Sequence, residues 1–207
     1  RIKENVKNQN MDALIAIGGE DTLGVASKLY KEGLSIIGVP KTMDNDLPGT
    51  DYCFGFDTAV STATDALLRL RDTAKSHRRL CVLEVMGRYT GWVALFTAIG
   101  GGADWVILPE KKMDWELMYS HLKEVYKRKS YGLIVVSEGI EIESLKNVKK
   151  EVDSFGHPFL TKRGVGELVA EMIKENTGIE TRCAVIGYIQ RGGSLSLIHI
   201  SEPTRPY

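Results

Sequence analysis

Six short, almost uninterrupted apolar runs are the feature that most restricts the fold of this chain. They are rich in Val, Ile and Leu and occupy residues 13–17, 36–39, 80–85, 105–108, 133–136 and 184–189. A run without polar alternation is typical of a strand that is covered on both faces, as in a parallel sheet. We therefore predict six buried strands.

The segments between these runs have the spacing of helices. In residues 57–71 the apolar side chains recur on one helical face, and Gly33 follows another such segment as a natural C-cap. The predicted helices span residues 22–32, 57–71, 92–99, 114–127 and 163–176. Strands that alternate with helices predict an α/β fold with mostly parallel sheets.

Charge and cysteine content exclude several classes of protein. The 207 residues contain 27 basic and 27 acidic side chains, whereas proteins that bind nucleic acid through phosphates are usually basic. No apolar run approaches the roughly 20 residues of a membrane-spanning helix. The cysteines, Cys53, Cys81 and Cys183, are too widely spaced for a zinc site or a disulfide framework. We expect a cytoplasmic protein that binds neither nucleic acid nor membrane.

The first polar loop follows the first predicted strand and reads Gly18-Gly19-Glu20-Asp21-Thr22. Paired glycines let a ligand approach the backbone closely, and a helix N-terminus attracts phosphate. The two carboxylates could hold Mg²⁺, which prefers oxygen ligands and bridges to phosphates. A tight strand–helix turn with acidic N-terminal residues explains the same pattern, so the residues alone leave both interpretations open.

The second polar loop follows the second strand and carries a lysine, a hydroxyl and two carboxylates. It reads Pro40-Lys41-Thr42-Met43-Asp44-Asn45-Asp46. Ligands of open α/β sheets bind at the carboxyl ends of the strands. Together the two loops contain the groups that phosphoryl transfer needs: carboxylates for Mg²⁺, a base, and a cation for the moving charge.

Five motifs in the same order make the chain resemble the 6-phosphofructokinase family, which has ATP-dependent and pyrophosphate-dependent members. The resemblance covers about residues 11–194. It rests on the two loops above and on Met86-Gly87-Arg88, Val136-Ser137-Glu138-Gly139 and Gln190-Arg191-Gly192-Gly193. It implies a fold of two Rossmann-like α/β domains, truncated at both ends in this chain.

The resemblance also implies catalytic and metal-binding roles. Asp44 corresponds to the base that takes the proton from the 1-hydroxyl of the sugar. Lys41 and Arg88 correspond to cations that stabilise charge on the phosphoryl groups. Glu20 and Asp46 correspond to positions beside Mg²⁺, the implied cofactor.

A larger set of residues corresponds to the sugar-phosphate subsite. It comprises Thr42, Met43, Asp44, Arg79, Met86, Gly87, Arg88, Glu138, Arg182, Tyr188 and Arg191. The resemblance implies that Arg79 and Arg182 reach this subsite from a neighbouring subunit, and hence a homo-oligomer, either dimer or tetramer. Many relatives have His where this chain has Tyr188, which keeps a hydroxyl but cannot carry positive charge.

Two positions bear on the phosphoryl donor. Gly18, Gly19, Asp21, Thr22 and Lys41 correspond to the donor subsite. ATP-using relatives generally have Gly in place of Asp21 and of Lys41, whereas pyrophosphate users tend to have Asp and Lys. A carboxylate at residue 21 fills the space that the α-phosphate of ATP needs and repels it. Pyrophosphate is therefore the expected donor, although some ATP users also carry the lysine.

The expected function is that of a glycolytic enzyme that transfers phosphate from pyrophosphate to fructose 6-phosphate, giving fructose 1,6-bisphosphate reversibly. An ATP-dependent 6-phosphofructokinase is the first alternative. A catalytically silent subunit that binds sugar phosphates is the second, but such a subunit has no need of Asp44. Kinases that share only the glycine–acid loop do not account for the Met86-Gly87-Arg88 motif.

The expected organisation is two domains and a tail. Residues 1–55 are predicted to belong to the donor-binding domain and residues 56–194 to the sugar-phosphate domain, with the active site between them. Residues 195–207 resemble the translation of a transposon adapter from a sequencing library and are predicted to be a non-native tail; a natural C-terminal segment is the alternative. We expect this fragment to be inactive on its own.

Overall fold

The first of two parallel sheets is formed by the N-terminal part of the chain. The computed structural model describes residues 1–142 and 164–197. Helix α1 (Ile2–Asn8) precedes strand β1 (Leu14–Gly18), and helix α2 (Glu20–Lys31) leads to β2 (Ile36–Thr42) and then to the short β3 (Phe54–Gly55). The strands lie in the order β1-β2-β3, all parallel.

The second sheet is formed by the following residues and contains four parallel strands in the order β5-β6-β4-β7. Its strands are β4 (Leu80–Val85), β5 (Trp105–Ile107), β6 (Gly132–Ser137) and β7 (Thr181–Val185). Its helices are α3 (Phe56–His77), α4 (Trp92–Gly101), α5 (Trp115–Lys129) and α6 (Val165–Thr177), and a 3₁₀ turn, Gly187–Arg191, follows β7. The predicted α/β class with parallel sheets is confirmed.

The core lies on both faces of the second sheet. Every residue of β4 and β6 is buried. Alternate side chains of β4 enter opposite clusters: Leu80 and Val82 pack on the side of α5 and α6, and Cys81 and Leu83 on the side of α3 and α4. Because successive side chains of a strand point to opposite faces, a continuous apolar run supplies both clusters.

Four predicted strands agree with the structure to within about one residue at each end, but two of the six runs differ more. The run at 36–39 extends to Thr42. The run at 184–189 divides into the end of β7 and the 3₁₀ turn. Gly187 has φ +44°, a left-handed conformation that stops an extended strand. The chain therefore turns there and brings Gln190 and Arg191 to the end of the sheet.

The expectation that both faces are covered is wrong for the first sheet. In the described residues, Ile15 and Ile17 of β1 are 67% and 61% exposed, and Ile37 of β2 is 63% exposed. Their neighbours Leu14, Ala16 and Ile36 face α2 instead. The apolar runs predicted strands correctly, but only one face of β1 and β2 is covered.

Two elements had no signal in the apolar pattern. Helix α1 buries only Val6, so no apolar stripe marks it, and the apolar pattern predicted no helix before the first strand. Strand β3 lies in the polar segment after β2 and pairs there through Lys41 and Thr42. All three cysteines are free. Within the described ranges, no helix has the length and apolarity needed to cross a bilayer.

The start of the predicted helix at residue 163 and residues 198–207 of the predicted tail lie outside the described residues. Of that tail the structure describes residues 195–197. Leu195 borders the cavity described below, and the Ser196 amide donates a hydrogen bond to Thr58 at 2.9 Å. The domain boundary at residue 55 and the origin of the tail stay predictions.

Candidate active site

A cavity of about 370 Å³ lies where the carboxyl ends of strands from both sheets meet. Its wall combines the loops after β1 and β2 with the turns after β4 and β7. The lining residues are Gly19, Glu20, Asp21, Thr22, Lys41, Thr42, Met43, Asp44, Asp46, Phe54, Gly55, Thr58, Arg88, Gln190, Arg191, Gly192, Gly193 and Leu195. The two polar loops singled out in the sequence therefore share one cavity.

The glycine pair after β1 places two carboxylates in the first turn of α2. Gly19 is the N-cap, and Glu20 and Asp21 follow it. Gly18 is not on the cavity wall. A Cβ added there would come within 2.5 Å of the Thr22 side chain, so Gly18 permits the close strand–helix turn and Gly19 borders the cavity.

Asp44 is a partly buried carboxylate of the second loop that borders the cavity. Burial and the neighbouring Asp46 raise its pKa above the ordinary value of 3.8, while Arg88, Arg191 and a hydrogen bond from Thr42 oppose that rise. The Asp44 amide donates to the Thr42 hydroxyl at 3.2 Å. A partly buried carboxyl between a second acid and two guanidinium groups is suited to accept a proton.

Asn45 stabilises the conformation of the loop after Asp44. Its φ is +53°, a conformation that Asn tolerates better than most residues. Its Oδ1 accepts the Cys53 amide at 2.8 Å and its Nδ2 donates to the Asp51 carbonyl at 3.1 Å. Two hydrogen bonds from the Asn45 side chain to the backbone therefore hold the turn after Asp44.

Asp46 has a buried side-chain oxygen, Oδ1, without a hydrogen-bond partner in the described residues. The residue borders the cavity. A buried carboxylate oxygen without a partner carries a desolvation cost. A cation bound at the cavity would remove that cost.

The turn after β4 is held by a buried acid. Glu138, 4% exposed, accepts hydrogen bonds on Oε1 from the amides of Gly87 and Arg88, each at 3.3 Å. Burial raises the pKa of Glu138, and these two hydrogen bonds oppose the rise. Arg88 borders the cavity, whereas Met86, Gly87 and Glu138 lie behind its wall.

The turn after β7 supplies a buried residue, Gln190, that was not predicted as a site residue from the sequence. Gln190 is 1% exposed, and its Oε1 accepts the Met86 amide at 2.7 Å. Its place next to Arg191 in the fifth motif was the only sequence signal. Thr58, Phe54 and Gly55 also border the cavity and had no predicted role, and Gly192 and Gly193 of the fifth motif border it as well.

Tyr188 lies beside the cavity rather than on its wall. Its ring is under the Arg191 guanidinium, with the Arg191 Cζ 5.0 Å from the ring centroid, and the residue is 62% exposed. A guanidinium over an aromatic face is a favourable cation–π contact. The ring of Tyr188 therefore contacts a cavity residue, Arg191.

Arg79 and Arg182 are not brought to the cavity by this chain. They lie at the amino ends of β4 and β7, opposite the strand ends that form the cavity. Arg182 pairs with Glu180 at 2.9 Å, and Lys174 and both arginines lower the pKa of Glu180. Nothing in the described residues connects these arginines to Asp44, and their use by a neighbouring subunit stays a prediction.

Comparison with known proteins gives a consistent result. The phosphofructokinase family model matches residues 1–201. The pyrophosphate–fructose 6-phosphate 1-phosphotransferase of Dictyoglomus thermophilum is 50% identical over 198 residues, which are 94% of this chain and 57% of that protein. The ATP-dependent 6-phosphofructokinase of Corynebacterium efficiens is 44% identical over 197 residues, with 94% and 56% covered.

The fold gives the same match. The crystal structure of a pyrophosphate-dependent phosphofructokinase from Marinobacter aquaeolei aligns with a TM-score of 0.73 at 28% identity, covering 91% of this chain and 47% of that one. The chain spans little more than half the length of the curated relatives that it matches. With a family match over nearly all of its residues, this chain belongs to the phosphofructokinase family.

Proposed function

We propose that the full-length protein carrying this chain transfers a phosphoryl group from pyrophosphate to the 1-hydroxyl of fructose 6-phosphate. The products are fructose 1,6-bisphosphate and phosphate, and the reaction is reversible. The observation that carries the proposal is that Asp44, with its raised pKa, shares one cavity with Arg88 and Asp21. The similarity to the pyrophosphate–fructose 6-phosphate 1-phosphotransferase of Dictyoglomus supports it.

Asp44 acts as the general base in this proposal. Its carboxylate accepts the proton of the 1-hydroxyl as the sugar oxygen bonds to the transferred phosphorus and the bond to the leaving phosphate breaks. Arg88 and Lys41 stabilise the negative charge on the phosphoryl and leaving groups, since charge stabilisation is the main contribution in phosphoryl transfer. Burial and Asp46 raise the Asp44 pKa, which makes its carboxylate a stronger base.

Asp21 is the donor-selecting residue. It borders the cavity in the first turn of α2, with Gly19, Thr22 and Lys41 as the other donor-binding residues. A carboxylate there opposes the further phosphate and the nucleoside of ATP and leaves room for the smaller pyrophosphate. Transfer from ATP is the second candidate, because one relative at 44% identity is named as ATP-dependent.

The carboxylates of this cavity fit Mg²⁺ only if substrate phosphates complete its coordination. The described residues contain no group of three or more His, Cys, Asp and Glu side chains arranged to hold a metal. Mg²⁺, however, is commonly bound by one or two carboxylates, waters and substrate phosphates, and the unsatisfied Oδ1 of Asp46 is such a ligand. Glu20 and Asp46 would hold it, and it would neutralise phosphate charge when bound.

The sugar phosphate is proposed to bind on the side of the second sheet. Arg191 and Arg88 would grip phosphate oxygens through planar guanidinium forks. The remaining contacts come from Thr42, Met43, Met86, Gly87, Glu138 and Tyr188. Arg79 and Arg182 would complete the subsite of a second copy, which makes the protein a homo-oligomer, and a reducing cytoplasm suits its three free thiols.

The test is a donor assay on the full-length protein with fructose 6-phosphate and Mg²⁺. We expect fructose 1,6-bisphosphate to form with pyrophosphate at a kcat/KM well above that with ATP. A higher kcat/KM with ATP would overturn the choice of donor. Binding of fructose 6-phosphate without turnover by either donor would overturn the enzymatic function and favour a sugar-phosphate-binding subunit.

A further inference from the structure

Both main-chain polar groups of Asp44 are held by threonine hydroxyls. The Asp44 amide donates to the Thr42 hydroxyl at 3.2 Å, and the Asp44 carbonyl accepts from the Thr90 hydroxyl at 2.8 Å. Thr42 ends β2, on the first sheet. Thr90 lies 46 positions further along the chain, in the turn after β4 on the second sheet.

Thr90 is itself fixed within the turn that carries Arg88. Its amide donates to the Gly87 carbonyl at 2.7 Å, and its carbonyl accepts from the Ser137 hydroxyl at 3.3 Å. A Cβ on Gly87 would come within 2.6 Å of the Thr90 carbonyl oxygen, so the turn is closely packed. The hydroxyl of Thr90 thus projects from a rigid turn.

The bond to Asp44 is the shorter of two that the Thr90 hydroxyl makes. Its distance to the Gly87 carbonyl is 3.4 Å, against 2.8 Å to Asp44. The contact with Gly87 stays within the turn, whereas the contact with Asp44 joins the loop after β2 to the turn after β4. Loss of the hydroxyl would therefore remove the hydrogen bond that joins the two parts of the cavity wall. The hydrogen bonds of the Thr90 backbone would remain.

We propose that Thr90 is a positioning residue that sets the place of the Asp44 carboxyl relative to Arg88. This inference rests on the proposed function. A general base must lie within hydrogen-bond reach of its proton, and a displacement of about 1 Å can cost on the order of a hundredfold in rate. The Thr90 hydrogen bonds given by the described residues join it to the Asp44 and Gly87 carbonyls and to the Ser137 hydroxyl, so Thr90 would act on the reaction through the position of Asp44.

The test compares three variants of the full-length protein. Thr90→Val keeps the shape and removes the hydroxyl, Thr90→Ser keeps the hydroxyl, and Thr50→Val is the matched control. Thr50 also donates to a backbone carbonyl, that of Tyr52 at 2.9 Å, but within its own loop. We expect Thr90→Val to lower kcat about 10- to 100-fold with KM for fructose 6-phosphate changed less than about twofold.

We expect Thr90→Ser to keep kcat within about threefold of the wild type and Thr50→Val to leave it unchanged. A second readout, amide hydrogen exchange of residues 43–53 in the protein without substrate, should be faster in Thr90→Val than in Thr90→Ser. It does not depend on turnover, so it tests the contact even if the wild type transfers no phosphate and the proposed function fails.

Wild-type kcat in Thr90→Val, equal losses in Thr90→Val and Thr90→Ser, or unchanged exchange in residues 43–53 would overturn the role of Thr90. If Thr90→Val does not fold, Thr90→Ala replaces it in both measurements. A Thr50→Val variant with the same loss of kcat would also overturn it, because the effect would then belong to loop stability in general.

Discussion

The side-chain oxygen Oε1 of Gln190 accepts a hydrogen bond from the Met86 amide at 2.7 Å, across 104 positions of sequence. Gln190 is 1% exposed, and the contact ties the turn after β7 to the turn after β4. The contact therefore links the turn that carries Arg191 to the turn that carries Arg88. Both arginines border the cavity. Loss of the hydrogen bond between Gln190 and Met86 should lower the free energy of unfolding.

Replacing Gln190 with Met should destabilise the protein. Met is similar in size but leaves the buried Met86 amide without an acceptor, which costs about 1–3 kcal/mol in the free energy of unfolding. Ile189→Met is the matched control, because Ile189 lies on the same turn and is 69% exposed; it should change stability by less than about 0.5 kcal/mol. Equal urea-unfolding midpoints for the two variants would contradict the prediction.

The raised pKa of Asp44 predicts a pH-dependent stability. The folded protein holds a proton at this carboxyl more tightly than the unfolded chain, because burial and Asp46 disfavour the charged form. The stabilising contribution is complete below the unfolded pKa and is lost as pH rises through the raised folded pKa. Asp44→Asn should therefore raise the melting temperature at pH 7 and leave it nearly unchanged at pH 3. A lower melting temperature at pH 7 would count against the burial argument.

The same carboxyl predicts the pH profile of turnover. A base must be deprotonated to accept the proton of the sugar hydroxyl, so kcat should rise with pH on an acidic limb above the ordinary carboxylate range. Asp44→Asn should lower kcat by about 10²- to 10⁴-fold. The measurement is the rate of fructose 1,6-bisphosphate formation across pH. An unchanged acidic limb in the residual activity of Asp44→Asn would assign that limb to another group.

Replacing Asp21 should change the choice of donor. Asp21→Gly removes both the charge and the bulk that oppose ATP, and we expect the ratio of kcat/KM for ATP over pyrophosphate to rise at least about tenfold, or 1.4 kcal/mol. Asp21→Asn keeps the bulk and removes the charge, so it separates the two causes. A ratio unmoved by both substitutions would remove Asp21 from donor selection.

Two variants of Tyr188 can separate the contribution of its ring from that of its hydroxyl. The Arg191 guanidinium lies over its ring, an exposed contact worth about 0.5–1 kcal/mol. Tyr188→Ala should therefore raise KM for fructose 6-phosphate about two- to fivefold, and Tyr188→Phe should leave it near the wild-type value. If Phe and Ala raise KM equally, the hydroxyl makes the contribution and the ring does not.

Gly139 is a position where a single methyl group should displace Arg88. A Cβ built on Gly139 would overlap the Arg88 carbonyl oxygen, and a backbone atom cannot move away by changing rotamer. Gly139→Ala should cost about 1–3 kcal/mol in unfolding free energy and lower kcat. Gly24→Ala is the control: nothing lies within 4 Å of its Cβ on helix α2, and it should stabilise the protein by up to about 1 kcal/mol.

Local sequence patterns were enough to predict most of the strands and helices, with α1 and β3 as exceptions, and to identify the two polar loops. A fully buried strand such as β4 requires an unbroken apolar run whatever its neighbours are, so it is visible locally. The polar loops after β1 and β2 were equally visible, and the parallel sheet placed them at one edge. The sequence pattern did not reveal the short polar helix α1, because it buries only Val6.

Which distant residues meet depends on how the sheets and turns pack together. Gln190 reaches Met86, and Thr90 reaches Asp44, because the second sheet is ordered β5-β6-β4-β7 and its strand ends adjoin the loop after β2. No periodicity in the chain encodes that order. The raised pKa of Asp44 is likewise a property of the assembled cavity, since desolvation and the charges of Asp46, Arg88 and Arg191 act only once the strands are packed.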